Sequence, residues 1–456
     1  MELANKRVLV VGLGRSGVAS ALFLKARGAQ VTVSDAKPQE ELGDEIPKLL
    51  DQGIAVETGG HGERTFRGQD LIVVSPGVPL DSPLLCQARA MGEEVIGEIE
   101  LAARFLPPQI IAITGSNGKT TTTTLTGDIV AAGGFRTLVG GNIGTPAISL
   151  AEQASKDSVI VLEVSSFQME TIQTFRPKIA VILNITPDHL DRHRNFDTYV
   201  DAKARIFENQ QADDFTVLNA DDPVCAGLAT RTRAQVFWFS RKIEVQQGAC
   251  LRNGQILFRS SAGERELMPV SDIPLKGTHN LENVLAASCA GMLMGCKPEQ
   301  ISKAVRAFKA VEHRLEHVAT IAGVHYYNDS KATNVDATIK ALESFPANIH
   351  LILGGKDKAS DYTLLNDLVR SRVKRVYTIG AAAAKIESQI KEAAEIVHAE
   401  TLETAVQQAS EAAETGDVVL LAPACASFDQ FRNYEHRGKI FKEAVKALLI
   451  APDFSK

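Results

Sequence analysis

The residues best suited to chemistry lie in short loops, each at the end of an apolar run. The segment Ile113-Thr-Gly115-Ser116-Asn117-Gly118-Lys119-Thr120-Thr121 follows one such run and opens a threonine-rich helical pattern. Backbone N–H groups in a loop of this kind cradle phosphates, the lysine reaches the β- and γ-phosphates, and the hydroxyl after it ligates Mg2+. The strict GxxxxGK[ST] spacing is not met, because Ile113 stands where the first glycine belongs, so the loop is a shortened variant. The bland alternative is a turn with a surface lysine, but GKT between a strand and a helix favours hydrolysis of, or transfer from, ATP. Glu163 closes the run SVIVLEV, ahead of Ser165-Ser166. A carboxylate at the C-terminal end of a parallel strand points into the ligand crevice, which makes Glu163 a natural Mg2+ ligand; the other reading is a cap for the next helix.

Further candidates follow the same rule. Asn184-Ile-Thr-Pro-Asp188-His189-Leu-Asp191-Arg-His193 ends another apolar run. It lacks the HExxH pattern of zinc proteases, so it reads either as a capped helix start or as a loop that brings His189 to the crevice of Glu163. Lys203 falls on the stripe of Phe196, Tyr199, Val200 and Phe207, and a lysine there either snorkels or works; periodicity alone favours snorkelling. Near the N-terminus, Gly12-Leu-Gly14-Arg15-Ser16-Gly17 joins a strand to a helix and Asp35 ends the next strand, the pattern of a nucleotide-type ligand site rather than of a bare turn. Ser75-Pro-Gly77 is a second phosphate-facing turn or a plain one. In the last third, Asp329-Ser-Lys331-Ala-Thr333-Asn334, Gly354-Gly-Lys356-Asp-Lys358 and Ala422-Pro-Ala-Cys-Ala-Ser427-Phe428-Asp429 each end a strand. Lysines and hydroxyls at strand C-termini suit an anionic substrate and a moving phosphoryl group. His313-Arg314 either reaches across domains or belongs to a solvated linker.

The elements that must hold these loops alternate strand and helix, which predicts parallel βαβ units. Residues 7–11, 30–35 and 70–77 read as strands of a first unit, and a helix over 97–105 stops at Pro107-Pro108. Runs 109–115, 158–166 and 178–186 belong to a second unit. Short strands at 236–240 and 255–260, on either side of Asn253-Gly254, predict a small added antiparallel sheet. Helices over 279–295 and 298–308 follow. Strands 324–329, 350–355, 375–380 and 418–424 make a third unit, with a helix start at 381–385. The expected architecture is three α/β units over 1–106, 107–310 and 311–456, a count that fits 456 residues.

Composition narrows the classes. With 45% hydrophobic and 23% charged residues the chain is an ordinary globular one rather than a disordered one. A formal net charge of -6 argues against a general nucleic-acid binder. The six cysteines form no CxxC pair, so a structural zinc site is not expected, and scattered thiols fit a reducing compartment. No run approaches the length of a membrane span and no basic region precedes an apolar one at the start, so a cytoplasmic protein without a signal peptide is expected.

The motifs TGSNGKTT, GGNIG, LEVSSFQ, NITPDHLDRH, THNLENVLAA, EHRLE, NDSKATN, GGKDK and LAPACASFDQF, in this order over essentially the whole chain, resemble the Mur ligase family. The resemblance implies Rossmann-like parallel sheets in the N- and C-terminal domains, flanking a central P-loop ATPase-type domain. It implies an ATP-dependent amide ligase of peptidoglycan synthesis that works through an acyl phosphate, here adding D-glutamate to UDP-N-acetylmuramoyl-L-alanine. By this likeness the 115–121 loop with Lys119 holds ATP, Asn280 and Asp329 contact adenosine, and Arg314 meets the γ-phosphate. Thr120 and Glu163 hold one Mg2+, and His189 with a carbamylated Lys203 holds a second. Gly14, Arg15, Ser16, Asp35, Lys37, Ser75 and Gly77 match the uridine-nucleotide side, with Asn142 and His189 facing the muramoyl-alanine end. Thr333, Lys356, Ser427, Phe428 and Tyr434 match the D-glutamate pocket, and Lys331 and Lys356 balance carboxylate and phosphate charge. A monomer is expected. Ala36-Lys37 and Tyr434 depart from the Thr-Arg and Phe often found in the family. The nearest alternative is a sister ligase for another amino acid; Asn117 and the lack of a DNPR-type segment argue against two of these. A nicotinamide-dependent dehydrogenase leaves the phosphate loop and three C-terminal clusters unexplained. A nucleotide-binding module without turnover does not explain Lys119, Glu163, His189 and Lys203 together.

Overall fold

A computed structural model of the chain describes residues 1–42, 45–275, 277–309 and 311–450. The described chain forms three sheets in two compact units. The first unit comprises Met1–Ile185, Val200–Asp272 and Glu282–Arg306 and holds two sheets. The second comprises Thr186–Tyr199, Ile273–Leu281 and the chain from Ala307 on, around the third sheet.

In the first sheet five parallel strands run in the order Ala55–Glu57, Gln30–Ser34, Arg7–Val11, Leu71–Val74, Val95–Gly97. The central strands are apolar throughout because helices cover both faces, which removes any alternation of polar and apolar positions. The order reverses at Arg7–Val11, so the loops after that strand and after Leu71–Val74 meet at the switch point where such sheets bind ligands.

The second sheet has nine strands, and Ile110–Thr114 lies between Ser158–Glu163 and Ile179–Ile182, all parallel. This order sets the phosphate loop, Glu163 and Asn184 along one sheet edge. The expected antiparallel addition is present and continues the same sheet. Gln235–Ser240, expected to flank the Asn253-Gly254 turn, instead extends the parallel part beside Phe215–Asn219. The strand that flanks the turn is Gly248–Arg252, paired antiparallel with Gln255–Ser260. Its sequence GACLR has too short an apolar pattern to announce a strand, and pairing with both neighbours makes it one.

The helix expected over 97–105 is present as Glu98–Ala103, directly after a short strand, Val95–Gly97, that the sequence did not announce. That helix ties the first sheet to the second with two buried carboxylates. Glu100 accepts N–H bonds from Gln173, Thr174 and Phe175 at 2.9, 2.9 and 3.0 Å. Glu98 accepts one from Ile148 at 2.7 Å, while its Oε2 is buried without a hydrogen-bond partner. Burial pushes the Glu98 carboxyl up to about 7, against the pull of the Ile148 N–H. The folded state therefore binds a proton here that the unfolded chain releases near pH 4.5. Stability contributed by the neutral form is complete below that pH and is lost as pH rises through 7. Glu98→Gln should remove up to about 3 kcal/mol of this dependence. Urea midpoints at pH 5.5 and pH 8 test it: the variant should lose less stability between them than the wild type, and equal losses would refute the assignment.

In the third sheet five parallel strands carry one antiparallel edge, in the order Glu316–Ile321, Val324–Asn328, Val418–Leu421, Ile349–Gly354, Val373–Ile379, Glu395–Glu400. The three strands whose ends bear the lysine and hydroxyl motifs are adjacent. Consequently, segments nearly a hundred residues apart in sequence become neighbours at one edge.

Candidate active site

In the first unit, the helix Lys119–Ala132 starts on Gly118, which supplies no side-chain cap. Elsewhere Ser165, Asp222, Asn334 and Thr401 cap their helices. An uncapped N-terminus behind a glycine loop leaves N–H groups for an anion. Gly118 has φ +84°, and a Cβ there would lie 2.2 Å from Asn283 Oδ1, so no other residue fits without displacing that amide. The loop is shaped from outside by Asn184, whose Oδ1 accepts from Asn117 N at 2.8 Å and whose backbone O accepts from Ser116 N at 2.9 Å. Lys119 folds back on the loop, its Nζ donating to Gly115 O and Ser116 O at 2.9 Å each. These bonds go to neutral carbonyls, which a phosphate oxygen outcompetes for an ammonium.

Thr120 Oγ1 donates to Glu163 Oε2 at 2.8 Å, and Asn142 Nδ2 donates to Glu163 Oε1 at 2.8 Å. Ser165 caps the following helix in a box with Gln168, so Glu163 is not its cap. A buried carboxylate beside a hydroxyl at the end of a phosphate loop is a hard-oxygen donor set, which fits Mg2+.

Lys203 does not snorkel. Its residue is 1% exposed and Nζ donates to Gly115 O at 2.8 Å, the same oxygen that takes Lys119 Nζ. Two ammonium groups thus converge on one carbonyl.

At the switch point of the first sheet, the helix Arg15–Ala26 also begins without a side-chain cap, on Gly14. A Cβ on Gly17 would lie 1.8 Å from Gly12 O, whereas one on Gly14 would meet nothing within 4 Å. Gly17 is thus needed for packing, and Gly14 leaves the backbone open to a ligand. Asp35 accepts from Leu13 N at 2.6 Å and Lys37 N at 2.8 Å, so it holds the loop of the nucleotide-type turn. Ser75 Oγ closes onto Gly12 O at 2.8 Å, while Arg15 and Lys37 are exposed.

In the second unit, three strand-end loops meet. Lys356 and Ala426 exchange two backbone bonds at 2.8 and 3.1 Å, which joins the Lys356 loop to the Ser427 loop. Lys331 Nζ sits 3.6 Å from the centroid of the Tyr434 ring, a cation–π contact. Phe428 is 68% exposed. His189 belongs to this unit, at φ +53°, with its N donating to Asp188 Oδ1 at 2.9 Å. Asp188 also accepts from Asn334 Nδ2 at 2.9 Å and Lys358 Nζ at 3.2 Å. Asp188, Asn334 and Lys358 carry no individual signal in the sequence beyond their places inside the motifs NITPDHLDRH, NDSKATN and GGKDK. His313 is buried, with Asn328 Nδ2 donating to its Nδ1 at 2.9 Å, so it is not part of a solvated linker. Burial pushes the Asp329 carboxyl up to about 7, with Arg314 pulling it back. Burial likewise pushes His279 down to about 4, reinforced by Lys340 and Arg314. Arg314 and Lys340 thus gather positive potential around a neutral His279 beside Asn280, and His279 carried no signal in the sequence beyond its place beside Asn280.

A phosphate loop opening one parallel sheet, a nucleotide-type turn on another, and an edge of lysines on a third define a nucleotide-dependent enzyme for anionic substrates. The patterns of the Mur ligase MurD-like N-terminal domain, the Mur ligase middle domain and the Mur ligase glutamate ligase domain match residues 6–97, 113–291 and 313–425. A UDP-N-acetylmuramoylalanine–D-glutamate ligase of Koribacter versatilis is 67% identical over 98% of this chain and 99% of its own. Another of that name, from Acidobacterium capsulatum, is 60% identical over 98% and 97%. The chain belongs to the Mur ligase family. Among solved structures, a pseudomurein peptide ligase type C from Methanothermus fervidus superposes with a TM-score of 0.62 at 21% identity, covering 97% of this chain and all of that one. UDP-N-acetylmuramate–alanine ligase of Thermotoga maritima gives 0.60 at 19%, with the same coverage. These two likenesses are of fold.

Proposed function

We propose that this chain is the ATP-dependent ligase that joins D-glutamate to UDP-N-acetylmuramoyl-L-alanine in peptidoglycan synthesis. The observation that carries the reading is the Lys119 and Thr120–Glu163 arrangement, in a chain 67% identical over nearly its whole length to a relative with that name. The reading divides the chain at 106/107 and 310/311, with Ala310 and 451–456 lying outside the described residues, and takes it to act as a monomer in the cytoplasm. Among the described residues no helix is long and apolar enough to cross a membrane.

The reaction follows from charge. A carboxylate oxygen of the alanyl end attacks the γ-phosphorus of ATP, the bond to the ADP oxygen breaks, and an acyl phosphate forms. The glutamate amine, having lost a proton, then attacks the acyl carbon and phosphate leaves. Lys119 and the N–H groups of the 115–121 loop take up charge that develops on the phosphates in the first step. Mg2+, when bound, supplies further neutralisation of that charge; Thr120 and Glu163 would hold one ion. The reading keeps His189 and a carbamylated Lys203 as ligands of a second. Asn280, Asp329 and Arg314 serve the nucleotide. Lys331 and Lys356 stabilise phosphate as it departs, and Thr333, Ser427, Phe428 and Tyr434 bind the amino acid.

Phosphate release in the presence of ATP, Mg2+ and UDP-N-acetylmuramoyl-L-alanine, screened across amino acids, tests the assignment. D-glutamate should be used at least about 100-fold better than lysine, because the lysines and hydroxyls suit two carboxylates and nothing acidic in the set welcomes a second ammonium; preference over L-glutamate is expected from the name that the 67% identical relative carries. Comparable rates with lysine would sink it.

A further inference from the structure

Arg437 lies on the helix Tyr434–Ile450 and is fully buried, at 0% exposure. Its Nε donates to Ser330 Oγ at 3.0 Å. Nη2 donates to Ser330 O at 2.8 Å and Cys425 O at 3.2 Å. Nη1 donates to Cys425 O at 3.2 Å and Ala426 O at 3.4 Å. These partners are a hydroxyl and three carbonyls, with no carboxylate among them. The third loop is held in the same place: Ala426 exchanges backbone bonds with Lys356, and a Cβ on Gly355 would lie 3.1 Å from Nη1. Ser330 Oγ passes the network on to Tyr434 O at 2.9 Å.

One guanidinium therefore gathers the ends of three adjacent strands. A planar fork of five donors can do this; an ammonium cannot reach as many acceptors in fixed directions. Burying a cation on neutral partners is costly, and an apolar side chain of similar volume would hold a core at less cost. Burial pushes its pKa down to about 10, with the nearby Cys425 and the Asp429 carboxylate, which makes no hydrogen bond to it, pulling it back, and the group stays charged at neutral pH. A charge kept in such a place acts on what the loops around it bind.

We propose that Arg437 is a positioning residue for the incoming amino acid. It fixes the three loops so that Thr333, Lys356 and Ser427 meet a single ligand, and its buried charge favours a ligand with two carboxylates. The inference rests on the proposed D-glutamate reading of that loop cluster.

The test is steady-state kinetics of wild type, Arg437→Met, Arg437→Lys and Ser330→Ala, with each of the three substrates varied in turn, beside thermal melts. KM for D-glutamate should rise about 10-fold or more in Arg437→Met and by less in Arg437→Lys. Ser330→Ala keeps the charge and loses one acceptor, so a rise of a few-fold is expected. KM for ATP and for the nucleotide substrate should stay within about two-fold of wild type in all three. A scaffold role would instead lower the melting temperature and kcat while leaving KM for D-glutamate unchanged, and that pattern overturns the proposal. Should Arg437→Met fail to fold, unchanged D-glutamate KM in the other two variants overturns it equally. A wild type that takes another amino acid refutes the D-glutamate reading, and the same KM comparison then judges Arg437 on the amino acid it does take.

Discussion

Lys119→Ala should stop ATP-dependent turnover, with kcat falling at least about 10³-fold, in a protein that stays folded. The two halves of this expectation have separate causes. Lys119 opens its helix, where alanine is an excellent helix former, and its ammonium donates to Gly115 O and Ser116 O of its own loop. Losing those bonds costs the fold about 1 kcal/mol each, within what a domain of ordinary stability tolerates. The reaction loses the cation that meets the transferring phosphoryl group. Phosphate release and a thermal melt, measured together, settle the matter. A folded variant releasing phosphate at the wild-type rate would remove the ATP assignment.

Lys203→Ala should be nearly inactive and partly rescued by acetate or formate, whereas Lys203→Arg should be inactive and not rescued. The reason lies in what surrounds the buried amine. Gly115 O accepts from Lys203 Nζ at 2.8 Å and from Lys119 Nζ at 2.9 Å, so two ammonium groups stand within about 6 Å of each other. At an effective dielectric near 20 their repulsion is about 3 kcal/mol. Condensation of the neutral Lys203 amine with CO2 releases a proton and makes a carbamate, which turns that repulsion into attraction. It also provides an anionic oxygen where Mg2+ calls for one. A small carboxylate restores the anion once the side chain is removed; an arginine keeps the cation and cannot be carbamylated. Beyond phosphate release, 13C-labelled bicarbonate should yield a carbamate signal in wild type and none in Lys203→Arg. Full activity of Lys203→Arg would show that a cation suffices.

The chemistry of several loops was legible because it is local. The phosphate loop, Glu163 at a strand end and the Gly12 turn each place a few residue types at a spacing that only one kind of backbone serves. Strands buried on both faces announced themselves as unbroken apolar runs, and the motif order disclosed the family. Gly248–Arg252 stayed hidden because its strand character comes from pairing on both sides, not from its own residues.

What the sequence determined by itself, then, was which residue types stand at which strand ends. The tertiary structure decided what those residues meet. Helical period put Lys203 on an apolar stripe but carried no information about what that stripe packs against, and the structure sets its amine on Gly115 O. Glu163 had two local readings until Ser165 took the cap. Arg437 and Asp188 had no distinguishing spacing at all, because their partners lie up to 170 residues away. Strand order is a long-range property: the adjacency of the strands ending at Asn328, Leu421 and Gly354 follows from how the whole sheet buries its faces, and that adjacency brings three dispersed loops to one edge.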